Sequence, residues 1–197
     1  MSQNNTKNPI EKFVKWLDEA KNNKTITEPA AMSLATATAD GKPSVRIVLL
    51  KEIDERGFVF YTNLESRKSR ELKKNPAASL CFYWMPLEKQ VRVEGNVHQV
   101  SDDEADAYFA TRQRDSQIGA WSSEQSQILA QRVDLLQNIS NNIARFNDLP
   151  VSRPPFWSGW RLSPDKIEFW QQGDFRLHER ELFTKNGDKW ESCTLYP

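Results

Sequence analysis

Ala31-Met-Ser-Leu-Ala-Thr-Ala-Thr38, then Asp40-Gly41, then Ser44-Val-Arg-Ile-Val-Leu-Leu-Lys51, is the stretch on which the fold turns. The first run alternates in the manner of a half-buried strand, and an Asp-Gly pair between two such runs is a hairpin signal with a mechanism: both residues tolerate the backbone a tight turn needs. Working outward, the same pattern returns. Residues 57–62 read as the next strand, reached through the turn Asp54-Glu-Arg-Gly57. Residues 78–84 and 90–100 resume the strand pattern, as do 157–162, 166–171, 176–184 and 189–195, with Asn186-Gly187 as the last hairpin turn. Helices interrupt this series at 9–21, where Ile10, Phe13, Trp16 and Leu17 recur at helical spacing, and at 65–75, 102–112 and 123–146. The helix at 65–75 is basic and stops before Pro76. Many short strands joined by hairpins, with a few helices, predict a mainly β chain closed into a full or partial antiparallel barrel. Strict βαβ alternation is missing, and so are the G-x-G-x-x-G and G-x-x-x-x-G-K-[ST] signatures, which argues against a doubly wound nucleotide-binding domain.

Composition narrows the function classes. The chain has 197 residues, enough for one domain with a real core, and 27 basic residues balance 27 acidic ones. That balance predicts no general nucleic-acid-binding surface. The two cysteines, Cys81 and Cys193, have no zinc or redox spacing, so neither a metal site nor a disulfide framework is expected. No apolar run approaches 18 residues, and the polar start of the chain has no signal-peptide core, so a cytoplasmic protein without a membrane anchor is expected. Residues 1–8 read as a polar, mobile tail; residues 1–28 form a tail and helix, and 29–197 one domain with helical insertions.

Arg112-Gln-Arg-Asp-Ser-Gln-Ile-Gly-Ala-Trp121 carries the most chemistry. It follows a helix opened by Ser101 with Glu104 three residues on, a capping box. Tyr108 and Arg112, four apart, share a face of that helix, and Ser116 follows just beyond. A phenol, a guanidinium and a hydroxyl converging on one place suit a small phosphate; a solvated, Arg-rich helix end is the competing reading of the spacing alone. A second candidate anion site is Ser66-Arg-Lys68, an N-cap followed at once by two cations. Cations are unfavourable at a helix N-terminus unless an anion sits there, in which case free N–H groups, dipole and side chains all attract it. A basic, solvent-facing helix is the alternative.

The motif Arg112–Trp121 resembles a signature of the pyridoxamine 5′-phosphate oxidase family. Four further blocks resemble the same family in the same order: Arg46-Ile-Val-Leu-Leu-Lys51; Phe60-Tyr-Thr-Asn63 with Ser66-Arg-Lys68; Glu88-Lys-Gln-Val91; and Ile167-Glu-Phe-Trp170 with Arg176-Leu-His178-Glu-Arg180. The resemblance implies an FMN-binding split β-barrel, a homodimer, and oxidation of pyridoxamine or pyridoxine 5′-phosphate to pyridoxal 5′-phosphate, with O2 reduced to hydrogen peroxide. For FMN it implies contacts from Arg46, Ile47, Val48, Leu49, Leu50, Lys51, Tyr61, Thr62, Arg67, Lys68, Gln90, Gln125, Ser126, Trp170 and Arg180. For the substrate it implies Lys51, Tyr108, Arg112 and Ser116 on the phosphate, and Arg176 and His178 on the ring, the last two also serving catalysis.

The residues add their own constraints. Ile47 to Leu50 cannot satisfy a charge, so Arg46 must leave at the barrel rim or pair with an anion. Gln125 and Ser126 are expected in the first turns of the long helix, beside free N–H groups. Arg176 and His178, two apart on an expected strand, would project from one face. Trp170 alone would more often be core, and His98 reads as structural. Three departures from the family pattern stand out: a short N-terminal segment, Glu179 for an aspartate, and Thr194-Leu-Tyr-Pro197 where the pattern begins with arginine. A related split-barrel flavin reductase and a non-catalytic FMN or pyridoxal phosphate binder are the rival functions.

Overall fold

The structure, a computed structural model, describes residues 8–197. Most of the expected mobile tail, residues 1–7, lies outside the described residues. Asn8, its last residue, instead caps the first helix, its side chain accepting the Ile10 N–H at 3.0 Å. In chain order the elements are α1 (Pro9–Asn22), β1 (Ala31–Ala37), β2 (Pro43–Leu49), β3 (Glu52–Asp54), β4 (Gly57–Asn63), α2 (Arg67–Lys74), β5 (Ala77–Trp84), β6 (Lys89–Gln99), α3 (Asp102–Thr111), α4 (Arg114–Ser122), α5 (Arg132–Phe146), β7 (Trp157–Gln171), β8 (Glu179–Asn186) and β9 (Lys189–Thr194).

Every strand pairing is antiparallel. The sheet runs β2-β1-β5-β6-β7-β4-β3, with β8 also paired to β7 and β9 to β8. The curl is visible in two consecutive residues. The Leu50 N–H donates to Ala30 beside β1, and the Lys51 N–H donates to Val59 on β4, so one step of chain joins distant parts of the sheet. The result is a curled half-barrel, as expected. Its interior is filled from β-strand faces and plugged by α1, whose Phe13 is fully buried against Phe58 at 4.9 Å and Phe82 at 4.8 Å, both edge-on. Burying one such ring contributes roughly 1.5–3 kcal/mol.

Five elements differ from the sequence expectation, the first being α4 (Arg114–Ser122), an additional helix between the two expected over 102–112 and 123–146. Residues 157–162 and 166–171 form one 15-residue strand, β7, rather than two. Ser163-Pro164-Asp165 is absorbed as an irregularity opposite Glu94 and Gly95, where a proline needs no ladder hydrogen bond. Three-residue β3 is additional, and pairs with β4. The expected helix over 123–146 begins only at Arg132, after a non-helical segment. The strand expected over 176–184 begins at Glu179. Before it comes a 3₁₀ turn, Asp174–Arg176, with left-handed backbone at both Phe175 (φ 55°) and Arg176 (φ 64°). The last hairpin turns at Gly187-Asp188, one residue later than expected, because Asn186 pairs with Lys189.

Candidate active site

The basic N-terminus of α2 is built around a carboxylate the sequence reading did not single out. Arg46 on β2 points towards α2, where its Nη2 lies 3.4 Å from Glu71 Oε2. The same guanidinium donates to the Thr36 and Ser44 hydroxyls at 2.6 and 2.5 Å and to the Leu34 carbonyl at 3.2 Å. Arg67 Nε donates to Glu71 Oε1 at 2.8 Å, one helical turn away. Arg46 is thus paired rather than stranded at the rim. Burial alone would raise the Glu71 pKa, but hydrogen bonds from Ser44, Thr36 and Arg67 outweigh it and hold the group at about 2.

Lys68 differs from both arginines. It is buried, and its Nζ donates only to neutral oxygens: Thr62 Oγ1 at 3.0 Å, Ser66 Oγ at 3.1 Å and Gln125 Oε1 at 3.0 Å. Burial, with the Arg46 charge adding to it, lowers its pKa to about 8. Ser66 occupies the N-cap position but makes no side-chain cap bond, so the first-turn N–H groups are not capped by it. The cluster therefore carries three cations against one carboxylate. Gln125 reaches it from the segment between α4 and α5, not from a helix as expected, and its neighbour Ser126 has a left-handed backbone (φ 72°) that ends any helical path. Tertiary hydrogen bonds to Thr62 and Lys68 take precedence over helix propensity there.

A cavity of about 380 Å3 lies alongside, lined by Tyr61, Thr62, Arg112, Ser116, Gln125 and Trp157 among others. Its floor is aromatic. Tyr61 stacks on Tyr108 at 4.0 Å and on Trp157 at 5.3 Å, with planes within 6°. Gly159 makes this possible, since a Cβ there would come within 2.8 Å of the Tyr61 ring. The Tyr61 hydroxyl donates to Glu52 at 2.8 Å, and burial followed by that carboxylate pushes its pKa well up. Arg112 caps α3 and lays its guanidinium over Trp157 at 4.8 Å. Its Nη1 is buried without a hydrogen-bond partner, and burial lowers its pKa, with Tyr108 opposing. Arg112 and Ser116 thus line one cavity, whereas Tyr108 is not among its lining residues and meets it through the Tyr61 ring stacked on it. Lys51 sits exposed at the step between β2 and β3, outside the residues lining that cavity. Leu50 is in the core with Val48 packed against it, whereas Ile47 faces outward.

The remaining candidates gather elsewhere. Gln90, Trp170 and Arg180 are register partners across β6, β7 and β8 and form a single row on the outer face of the sheet. Arg180 is held by Glu168 at 2.8 Å and by the Tyr196 carbonyl at 2.9 Å. His178 packs on Trp170 at 4.7 Å and accepts the Gly173 N–H at 3.3 Å. It lines a second cavity, about 750 Å3, with Lys12, Phe169, Arg180 and the C-terminal residues. Arg176 and His178 do not share a strand face, because Arg176 lies in the 3₁₀ turn and the strand starts after both. The alternation rule does not apply to them.

Two family models match the chain: pyridoxamine 5′-phosphate oxidase over residues 18–140, and the pyridoxine 5′-phosphate oxidase C-terminal dimerisation region over 157–197. The chain belongs to the pyridoxamine 5′-phosphate oxidase family. A pyridoxine/pyridoxamine 5′-phosphate oxidase from Zymomonas mobilis is 52% identical, covering 98% of this chain and all of that one. Among solved structures, PhzG from Burkholderia lata 383, in complex with tetrahydrophenazine-1-carboxylic acid, superposes with a TM-score of 0.92 at 32% identity, covering 99% of this chain and 95% of that one. A pyridoxamine 5′-phosphate oxidase-related, FMN-binding protein from Nostoc punctiforme superposes at 0.77 over both full lengths, and at 17% identity it speaks for the fold alone.

Within this oxidase family, the region described as dimerising covers all of β7, β8 and β9. It is the region that bears Trp170, Arg176, His178 and Arg180. Among the described residues no helix is long and apolar enough to cross a membrane. Glu71 and Trp157 are the site residues that sequence reasoning missed. Glu71 had a signal, its four-residue spacing from Arg67 on a helix; Trp157, one tryptophan among seven, had none.

Proposed function

We propose that this chain oxidises pyridoxamine 5′-phosphate or pyridoxine 5′-phosphate to pyridoxal 5′-phosphate, using FMN and O2, as a cytoplasmic homodimer. Residues 29–197 form the FMN-binding barrel and α1 closes its interior. The observation that carries this reading is the buried, unpartnered Arg112 Nη1 beside Ser116, in a cavity that also reaches Thr62 and Gln125 at the Lys68 cluster. A buried charged donor left without a hydrogen-bond partner is costly and calls for an acceptor. A substrate phosphate on Arg112 and Ser116, with Lys51 and Tyr108 added by the family resemblance, meets that need; a cofactor phosphate on Arg46, Arg67 and Lys68 does the same for the neighbouring cluster. The α2 cluster fits FMN on charge: a surplus of two positive charges faces a dianion, and the neutral partners of Lys68 leave its charge uncompensated.

Bound FMN would supply the hydride acceptor for the substrate C4′ carbon and the route of those electrons to O2, giving hydrogen peroxide. The chain's own residues bind and orient. Arg112 fixes the phosphate and Tyr108, locked by Tyr61, walls the pyridine site. Arg176 and His178 hold the ring, and the His178 imidazole takes the proton released as C4′ is oxidised; with the amine, water then releases ammonia from the imine.

The two halves of this machinery belong to opposite ends of β7. Trp157, under Arg112, and Trp170, in the row with Gln90 and Arg180, are thirteen residues apart on one strand, at most roughly 40 Å along a strand rising about 3.3 Å per residue and less where the irregularity at 163–165 and the curl of the sheet shorten it. One flavin does not span that length, so each site takes its second half from the partner chain.

Anaerobic mixing with pyridoxamine phosphate tests the function. Bleaching of the bound flavin, with pyridoxal phosphate as product, is expected. A flavin that stays oxidised, or that bleaches only with a reduced nicotinamide, would leave a binder or a flavin reductase instead.

A further inference from the structure

We infer that Glu71 is the positioning residue of the cofactor-phosphate site, holding Arg46 and Arg67 where they select a phosphorylated flavin; this rests on the FMN reading above. Glu71 is 6% exposed, and its two oxygens are divided between the two arginines. Oε1 takes Arg67 at 2.8 Å. Oε2 takes Arg46 at 3.4 Å together with the Thr36 and Ser44 hydroxyls at 2.5 and 2.6 Å. The same two hydroxyls accept from Arg46. Arg46 and Glu71 are thereby locked through shared partners on β1 and β2, and α2 is tied to both strands. Arg67 is the free-swinging member: its side chain is 60% exposed, and Glu71 is the carboxylate that fixes it. The strongly depressed pKa of Glu71 keeps it charged at neutral pH.

Coulomb's law alone gives the opposite role. A carboxylate among the cations of a phosphate site repels the phosphate, so replacing it by a neutral group should tighten binding. Positioning predicts loosening, because without Glu71 the arginines lose the geometry that makes a charge-assisted pair worth more than a mobile surface one. The sign of the effect therefore separates the two.

The apoprotein would be titrated with FMN and, separately, with riboflavin, which has the same ring and no phosphate, following flavin fluorescence. Glu71→Gln should weaken FMN roughly ten- to hundredfold, the scale of a lost charge-assisted contact, and leave riboflavin within about twofold. Unchanged or tighter FMN binding, or equal loss for both flavins, would overturn the inference. If Glu71→Gln does not fold, Ser44→Ala retains the carboxylate and both arginines while removing one lock. A severalfold loss confined to FMN supports the inference, and an equal loss for both flavins or none overturns it. A wild-type protein that binds riboflavin as tightly as FMN would instead sink the phosphate-site reading itself, before any variant is compared.

Discussion

Lys68 shows how a single buried side chain sets a pH dependence. With its pKa lowered to about 8 by burial and Arg46, it is charged below that pH and neutral above it in the empty site. A bound phosphate dianion favours the charged form and raises the pKa. FMN affinity should then be full below pH 8 and fall by up to about tenfold per pH unit above it, because binding must take up a proton. Riboflavin affinity should stay flat across the same range. Titrations at pH 7, 8 and 9 check this, and a Lys68→Gln protein should show no slope. The residue was legible in Ser66-Arg-Lys68 as a cation at a helix start. Its neutral partners were not, since Thr62 and Gln125 come from 6 and 57 positions away.

Among the elements, α3 is held by three arginines from outside it, the most exposed being Arg56, whose Nη2 lies 2.9 Å from Glu104 Oε1. Arg153 reaches Asp102 at 2.8 Å and Asp106 at 2.5 Å. Arg161, on β7 and 2% exposed, reaches Glu104 and Asp54, both at 2.8 Å. Glu104 is also the reciprocal partner in the capping box with Ser101, the one helix start the sequence predicted down to its hydrogen bonds. α3 carries Tyr108 and is capped by Arg112, so its placement fixes the proposed substrate end. Arg161→Met should destabilise the protein by about 3 kcal/mol, the low end for breaking a buried ion pair because its partners are partly solvated; urea unfolding measures it. A cost near zero would make the ion pairs dispensable. Other elements resisted sequence reading for identifiable reasons. Left-handed Phe175 and Arg176 are invisible to alternation rules, because such backbone is expected of Gly or Asn. The 123–131 segment has no Gly or Pro to break a helix, and a contact made far away by Gln125 decided it.

At the scale of the molecule, the sheet leaves large apolar side chains on its outward face. Val45 and Ile47 on edge strand β2 are 68% and 64% exposed, and Tyr83 on β5 is 56% exposed. The barrel and its antiparallel order were readable from hairpin spacing. That the cofactor candidates divide into two groups was not, because sequence blocks give order along the chain and say nothing of which chain completes a site. Sedimentation should give a dimer, and Val45→Glu should shift it towards monomer with loss of flavin. A monomer that keeps its flavin would count against the composite site.

The length of β7 has a genetic meaning as well as a geometric one. In the composite site proposed above, Arg112→Ala should damage one half and His178→Ala the other, so each variant alone should spoil both sites of its own dimer. In a mixed dimer both lesions fall in the same site and the other site is built entirely from intact ends. Two inactive proteins, unfolded and refolded together at equal concentration, should regain activity in about one site in four.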